Sequence, residues 1–206
     1  MLSWETLPTP VAADSVSTTS HRQLRDSAYA RTTTLVRDDA ALLPLRPHPD
    51  ARILVLAQPP ASVTKAVDIV YQHEYLVEAM RTYHPNVRGV CLGAESTEDD
   101  IAAAIRSATD ADMLVIATIN AHLDGRQASL MRRLLATGRP VVGIAVCNPY
   151  DLAVFPELRT YLATYEYTQP ALAAVAGALF GAFEPAGRLP VSLTTPVISS
   201  PPAEQP

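Results

Sequence analysis

Short apolar runs alternate along the chain with longer segments in which apolar residues recur at helical spacing. The apolar runs are rich in Val, Ile, Leu and Ala, as buried strands are, and they lie at 52–57, 87–92, 113–118, 141–146 and 161–165. The helical patterns lie at 21–33, 73–83, 97–108, 125–137 and 169–180. Strands that alternate with helices form parallel sheets covered on both faces. The pattern therefore predicts an α/β fold: a three-layer α/β/α sandwich with a mainly parallel sheet of about five or six strands.

The loops after the third and fourth of these runs carry the side chains best suited to a ligand. In open parallel sheets, ligands bind beyond the carboxyl ends of the strands. In the second of these loops, the amide of Asn148, the phenol of Tyr150 and the carboxylate of Asp151 suit sugar hydroxyls. They equally suit a self-contained turn, because an asparagine before a proline is a turn former. The candidate substrate-binding residues in the two loops are Asn120, His122, Asp124, Asn148, Tyr150 and Asp151.

His122 and Asp124 lie two residues apart in one loop. A histidine beside a carboxylate can act as a general base. Neighbours at this spacing more commonly meet only solvent, and Asp124 can instead cap the helix that begins near Gly125. The favoured interpretation is an ordinary loop. A contact with a ligand or partner is the second interpretation, and catalysis is the third.

The two cysteines, Cys91 and Cys147, both lie in or beside apolar runs and are predicted to be buried free thiols rather than a disulfide. Cys147 directly follows a predicted strand, where α/β hydrolases place their nucleophile. Such an elbow needs small residues on both sides, and Val146 and Asn148 stand there instead. A packed thiol is favoured, and a cysteine hydrolase that uses Cys147 is kept as an alternative.

Composition and charge exclude several classes of protein. The net charge is −5 and there is no basic cluster, which argues against nucleic acid and anionic membrane surfaces as partners. No apolar run approaches the roughly 20 residues of a membrane span. The five histidines are scattered and no glycine-rich phosphate loop occurs, so neither a metal nor another cofactor is predicted. Residues 1–10 lack the features of a signal peptide, so a cytoplasmic location is expected.

Residues 179–193 have the most distinctive local pattern, LFGAFEPAGRLPVSL. The pattern predicts a helix end, a tight glycine turn and a short apolar strand. Gly181 and Gly187 are expected to adopt positive φ, Pro185 to fix a turn, and Pro190 to open the strand.

This segment resembles the closing signature of the C-terminal sandwich domain of glycoside hydrolase family 3. Two further segments, 138–152 and 34–45, resemble motifs of the same domain and keep the family's order and spacing. The resemblance covers about residues 20–195. It implies that 1–19 is a linker from a missing preceding domain, that 20–195 is the sandwich domain, and that the Pro-rich 196–206 is a disordered tail.

The resemblance also carries expectations about function. Family 3 enzymes place the nucleophilic Asp on a preceding (β/α)8 barrel, which this chain lacks. Members that resemble β-glucosidases supply a catalytic Glu from a loop of the second domain, but the corresponding residues 120–127 contain no Glu. The likeness is closer to the β-N-acetylglucosaminidase branch, whose proton donor is a His beside an Asp on a barrel loop.

The resemblance therefore implies a non-catalytic domain that supports or closes the sugar site of the absent barrel. The chain would contain no catalytic residue, would be inactive alone, and would contact an N-acetylglucosamine-type sugar. One alternative is a regulatory module that senses N-acetylglucosamine, in a protein that also has an acetyltransferase domain. A domain without its partner should expose an apolar patch, so weak self-association is expected.

Overall fold

The computed structural model describes residues 15–59 and 71–193. The predicted linker at 1–19 lies mostly outside this part of the chain, and the predicted tail at 196–206 lies entirely outside it. Among the described residues, no helix is both long enough and apolar enough to cross a membrane. The helices are α1 (Thr19–Thr32), α2 (His73–Arg81), α3 (Glu98–Asp110), α4 (Gly125–Leu135) and α5 (Gln169–Leu179). The strands are β1 (Thr34–Asp38), β2 (Ile53–Ala57), β3 (Val87–Cys91), β4 (Met113–Thr118), β5 (Val141–Ala145) and β6 (Thr160–Ala163).

The six strands form one sheet in the order β1-β6-β5-β4-β2-β3. Every neighbouring pair is parallel except β1 and β6, which are antiparallel. The predicted fold class is confirmed. β1 lies outside the five predicted runs because only its first residue is buried, as expected for an edge strand that includes Arg37 and Asp38.

Alternation along the strands divides the core between the two faces of the sheet. In β2, Ile53 and Val55 point into one apolar cluster, which includes side chains of α2 and α5. Leu54 and Leu56 point into the other cluster, which includes side chains of α3 and α4. Because both faces are covered by helices, the carboxyl ends of the central strands are the natural place for a ligand.

The structure corrects part of the prediction for residues 179–193. Gly181 has φ 75°, as predicted, but Gly187 is not among the glycines with positive φ. Gly187 instead lies close to the backbone between α1 and β1, where its N–H donates to the carbonyl of Thr33 at 3.0 Å. Residues 189–193 form no strand, and Pro190, which has no N–H to donate to a ladder, gives a physical reason.

Candidate functional site

Two neighbouring parallel strands bring the predicted loops together. β4 and β5 pair along their length. The chain continues from β4 into a 3₁₀ turn at Ala121–Leu123, and from β5 towards a second 3₁₀ segment at Pro149–Val154. The first turn begins at Asn120, whose φ of 53° lies in the left-handed region that asparagine tolerates better than most residues. The two loops therefore meet at the carboxyl edge of the sheet.

A buried glutamine on α4 fixes the start of the first loop. Gln127 is 4% exposed, and its Oε1 accepts a hydrogen bond from the N–H of Ile119 at 3.0 Å. Its Nε2 donates to the carbonyl of Ile119 at 2.7 Å. Both backbone groups of Ile119 are thereby satisfied without a strand partner, which holds the chain in place just before Asn120.

His122 and Asp151 form the centre of the site. The ring Nδ1 of His122 lies 2.7 Å from Asp151 Oδ1, and the backbone N–H of His122 donates to the same oxygen at 3.1 Å. The Asp151 side chain is fully buried and the His122 side chain is 12% exposed. The second carboxylate oxygen of Asp151, Oδ2, is buried and accepts no hydrogen bond within the described part of the chain.

The remaining side chains of the two loops surround this pair. Asn148 donates from its side-chain amide to the Asn120 side-chain oxygen. The Tyr150 ring packs edge-on against the His122 ring, with centroids 5.7 Å apart and planes at 65°. The structure thus brings together five of the six predicted residues: Asn120, His122, Asn148, Tyr150 and Asp151.

Asp124 is the predicted residue that stays outside this group. It caps α4, where its side chain accepts a hydrogen bond from the N–H of Arg126 at 3.0 Å. Partial burial alone would raise the pKa of Asp124, but hydrogen bonds from Arg126 and Gln127 hold that pKa below its ordinary value. The prediction that Asp124 caps the helix is confirmed. The carboxylate that contacts His122 is Asp151 and not Asp124, although Asp124 is closer in the sequence.

The cysteines differ from their predicted burial. Both are free thiols, but Cys91 is exposed and Cys147 only half-buried. Cys91 ends β3, the edge strand of the sheet, where neither face is as fully covered as at the centre. Burial, and secondarily the charge of Asp151, raise the pKa of the Cys147 thiol. No hydrogen bond joins Cys147 to His122 among the described residues, so no base is positioned to activate it.

Alkylation of Cys147 should therefore be slow at neutral pH. In a Cys91→Ser variant, we expect iodoacetamide to modify Cys147 more slowly than it modifies glutathione, with a rate that keeps rising above the ordinary thiol pKa. A raised pKa means a smaller thiolate fraction at neutral pH, which gives this sign. Mass spectrometry over a pH series measures the rate. Fast modification that does not change with pH around neutrality would instead support the cysteine hydrolase.

Two further buried polar groups, Gln58 and Tyr161, are not among the six candidate substrate-binding residues. Gln58 directly follows β2, and its Oε1 is buried without a hydrogen-bond partner in the part of the chain that is described. A polar residue at the end of an apolar run could have signalled it. Tyr161 of β6 is fully buried. Burial and the nearby charge of Asp151 raise the pKa of Tyr161 well above its ordinary value, so the phenol stays protonated.

The donor set does not suggest a metal centre. Within 15–59 and 71–193, no three His, Cys, Asp or Glu side chains converge in a way that could hold an ion. The chemistry available at this edge of the sheet is hydrogen bonding by amides, a phenol and an imidazole, beside the exposed side chain of Leu123.

Fold and site together define an α/β/α sandwich domain with a polar and aromatic patch at the carboxyl ends of its central strands. Residues 33–204 match the family model described as the glycosyl hydrolase family 3 C-terminal domain, and the chain belongs to this family. The resemblance found in the sequence is confirmed. A search of curated proteins found no match.

Several solved structures of glycosidases contain a region that is similar to this chain. It is similar to a fungal multi-domain GH3 β-N-acetylglucosaminidase with a GCN5-related glucosamine N-acetyltransferase region (28% identity, TM-score 0.76), covering 89% of this chain and 20% of that one. It is also similar to a GH3 β-N-acetylglucosaminidase from Paenibacillus sp. str. FPU-7 (23% identity, TM-score 0.78), covering 93% of this chain and 36% of that one. A β-glucosidase from Listeria innocua is similar at 20% identity and a TM-score of 0.66, and the match covers 86% of this chain and 28% of that chain.

Proposed function

We propose that this chain is the non-catalytic C-terminal domain of a β-N-acetylglucosaminidase-type family 3 glycoside hydrolase. In this role it packs beside a (β/α)8 barrel and closes one side of the barrel's sugar site. The observation that carries the proposal is the state of the carboxylates in the loops after β4, β5 and β6. Retaining hydrolysis needs a nucleophilic carboxylate and an acid/base group that both reach the sugar, canonically two carboxyl groups about 5 Å apart.

Three carboxylates in the loops after β4, β5 and β6 are engaged within the domain. Asp151 is fully buried beneath His122. Asp124 caps α4. Glu166 accepts hydrogen bonds from the backbone N–H groups of Tyr167 and Thr168 at 2.7 and 3.2 Å. Among the described residues, these three carboxylates offer no exposed pair that could act as nucleophile and acid. This favours a structural rather than a catalytic role for the domain.

The extent of the similar proteins supports a partner domain. The chain spans 20% of the fungal structure and 36% of the Paenibacillus structure. Most of each of those enzymes therefore lies outside the region that this domain matches.

A regulatory module is the second candidate. The fungal β-N-acetylglucosaminidase that resembles this chain at 28% identity contains an acetyltransferase region. In a sensor, this domain would bind N-acetylglucosamine and alter the activity of a linked domain without contributing to hydrolysis.

The test is a chimera in which this chain replaces the matching domain of the fungal enzyme. We expect the isolated chain to release no nitrophenol from p-nitrophenyl N-acetyl-β-glucosaminide, and the chimera to hydrolyse it faster than the barrel alone. A single cooperative unfolding transition of the chimera shows that this domain and the barrel are assembled. Enzyme-like turnover by the isolated chain, or a folded chimera no faster than the barrel, would overturn the proposal. Sugar binding without any gain in hydrolysis would favour the sensor.

A further inference from the structure

We infer that His122, held by Asp151, forms with Leu123 and Tyr150 a subsite for the acetamido group of an N-acetylated amino sugar. The inference rests on the proposed function and deepens it, because it names the sugar group that the domain would recognise. Asp151 and Tyr150 of the second loop lie against His122 of the first loop, and Leu123 directly follows His122.

Asp151 sets which nitrogen of His122 is available. Its Oδ1 lies 2.7 Å from the ring Nδ1 and also accepts the backbone N–H of His122. A carboxylate only accepts, so a neutral imidazole in this arrangement carries its proton on Nδ1. Nε2 is then left as a hydrogen-bond acceptor, and within the described residues no hydrogen bond occupies it. An amide N–H is a complementary donor.

The burial of Asp151 argues for a role beyond folding. A fully buried carboxylate with one oxygen that lacks a described partner lowers stability. Such groups persist where they position another group, so an unpartnered buried oxygen in a native fold calls for a functional explanation. Here the group that Asp151 positions is the imidazole of His122.

Two partly exposed apolar side chains accompany the imidazole: Tyr150 packs against it, and Leu123 directly follows His122 in the chain. Leu123 is 76% exposed and Tyr150 is 38% exposed. The Tyr150 ring lies against the His122 ring. An acetamido group presents an N–H donor and, a few ångströms away, a methyl group. The N–H fits Nε2, and the methyl fits the exposed apolar surface of Leu123 and Tyr150.

The first test is a sugar titration of the ¹⁵N-labelled chain followed by NMR. We expect N-acetylglucosamine to shift the His122 ring and the Tyr150 and Leu123 signals, with about tenfold tighter binding than glucose, which lacks the amide. Glucosamine, which lacks the acetyl group, should also bind weakly. Equal affinity for the three sugars, or no saturable shift, would overturn the inference.

The variants separate the two halves of the subsite. His122→Phe keeps a ring but removes the acceptor, and we expect it to lose the preference for the acetylated sugar. Leu123→Ala should weaken binding about fivefold by removing apolar contact. The matched controls are His48→Phe and Leu24→Ala, which alter an exposed histidine and an exposed leucine outside the two loops. Binding that survives both site variants would also overturn the inference.

The role of Asp151 has its own readout. Ring ¹⁵N shifts report the tautomer, and we expect an unprotonated Nε2 in the wild-type chain. In Asp151→Asn, the amide can donate to Nδ1, which favours the opposite tautomer and should weaken acetylated-sugar binding about tenfold. Unchanged tautomer and affinity would show that Asp151 positions nothing. These binding measurements need no barrel, so their failure is distinguishable from failure of the chimera assay.

Discussion

Replacing Gln127 by alanine is expected to lower the free energy of unfolding by about 3 kcal/mol. The substitution leaves both the N–H and the carbonyl of Ile119 without their hydrogen-bond partners in a buried place. Each buried, unsatisfied polar group costs about 1–3 kcal/mol, and the lost side chain leaves a small cavity as well. Because Ile119 precedes Asn120 and His122, we also expect the loop to shift and the His122 signals to change.

Urea denaturation measures this effect, and two variants control it. Gln127→Glu keeps an oxygen that can accept from the Ile119 N–H but cannot donate to its carbonyl when ionised, so we expect a partial loss. Arg126→Ala removes the neighbouring exposed side chain, whose hydrogen bonds within the described residues go to Asp124, and should cost less than about 1 kcal/mol. If Gln127→Ala were no more destabilising than Arg126→Ala, the loop would not depend on this contact.

Elements defined by burial on both faces could be predicted from the sequence. β2, β4 and β5 are buried throughout or nearly so, and their apolar runs are unambiguous. The edge strand β1 has a mixed pattern, because hydrogen bonding to β6 rather than burial defines it. The exposure of Cys91 has a related cause, since a residue at the end of an edge strand is less enclosed than its apolar neighbours in the sequence suggest.

The candidate site shows a different limit. Fold class was enough to place the candidate residues in loops at the carboxyl edge of the sheet, and five of the six lie together there. From the sequence, Asp124, two residues away, was the carboxylate considered as a partner for His122, whereas the structure pairs His122 with Asp151, 29 residues further along. That pairing depends on β4 and β5 being neighbours in the sheet, which is tertiary information. Gln127 was missed for a different reason, because its partners are the backbone groups of Ile119, which no side-chain pattern in the sequence indicates.

Replacing Gly187 by alanine is expected to destabilise the fold by about 3 kcal/mol, through a close approach rather than an unusual backbone angle. A Cβ at this position would lie 2.3 Å from the carbonyl oxygen of Thr32 and 2.7 Å from that of Thr33. It would also lie 2.3 Å from the Thr34 hydroxyl. Two of these atoms are backbone, so the clash cannot be relieved by a rotamer change, and overpacking of this kind costs about 1–3 kcal/mol.

The same substitution should also break the hydrogen bond from the Gly187 N–H to Thr33, which ties the closing segment to the junction of α1 and β1. Gly93→Ala is the matched control, because a Cβ there meets no atom within 4 Å. We expect the control to change stability by less than about 0.5 kcal/mol. Hydrogen exchange at Gly187 and thermal unfolding of both variants measure the two effects. Equal melting temperatures for the two variants would mean that the backbone at Gly187 does not pack closely against the carbonyl groups of Thr32 and Thr33. The glycine of the family's closing motif would then need another explanation, since its φ gives none.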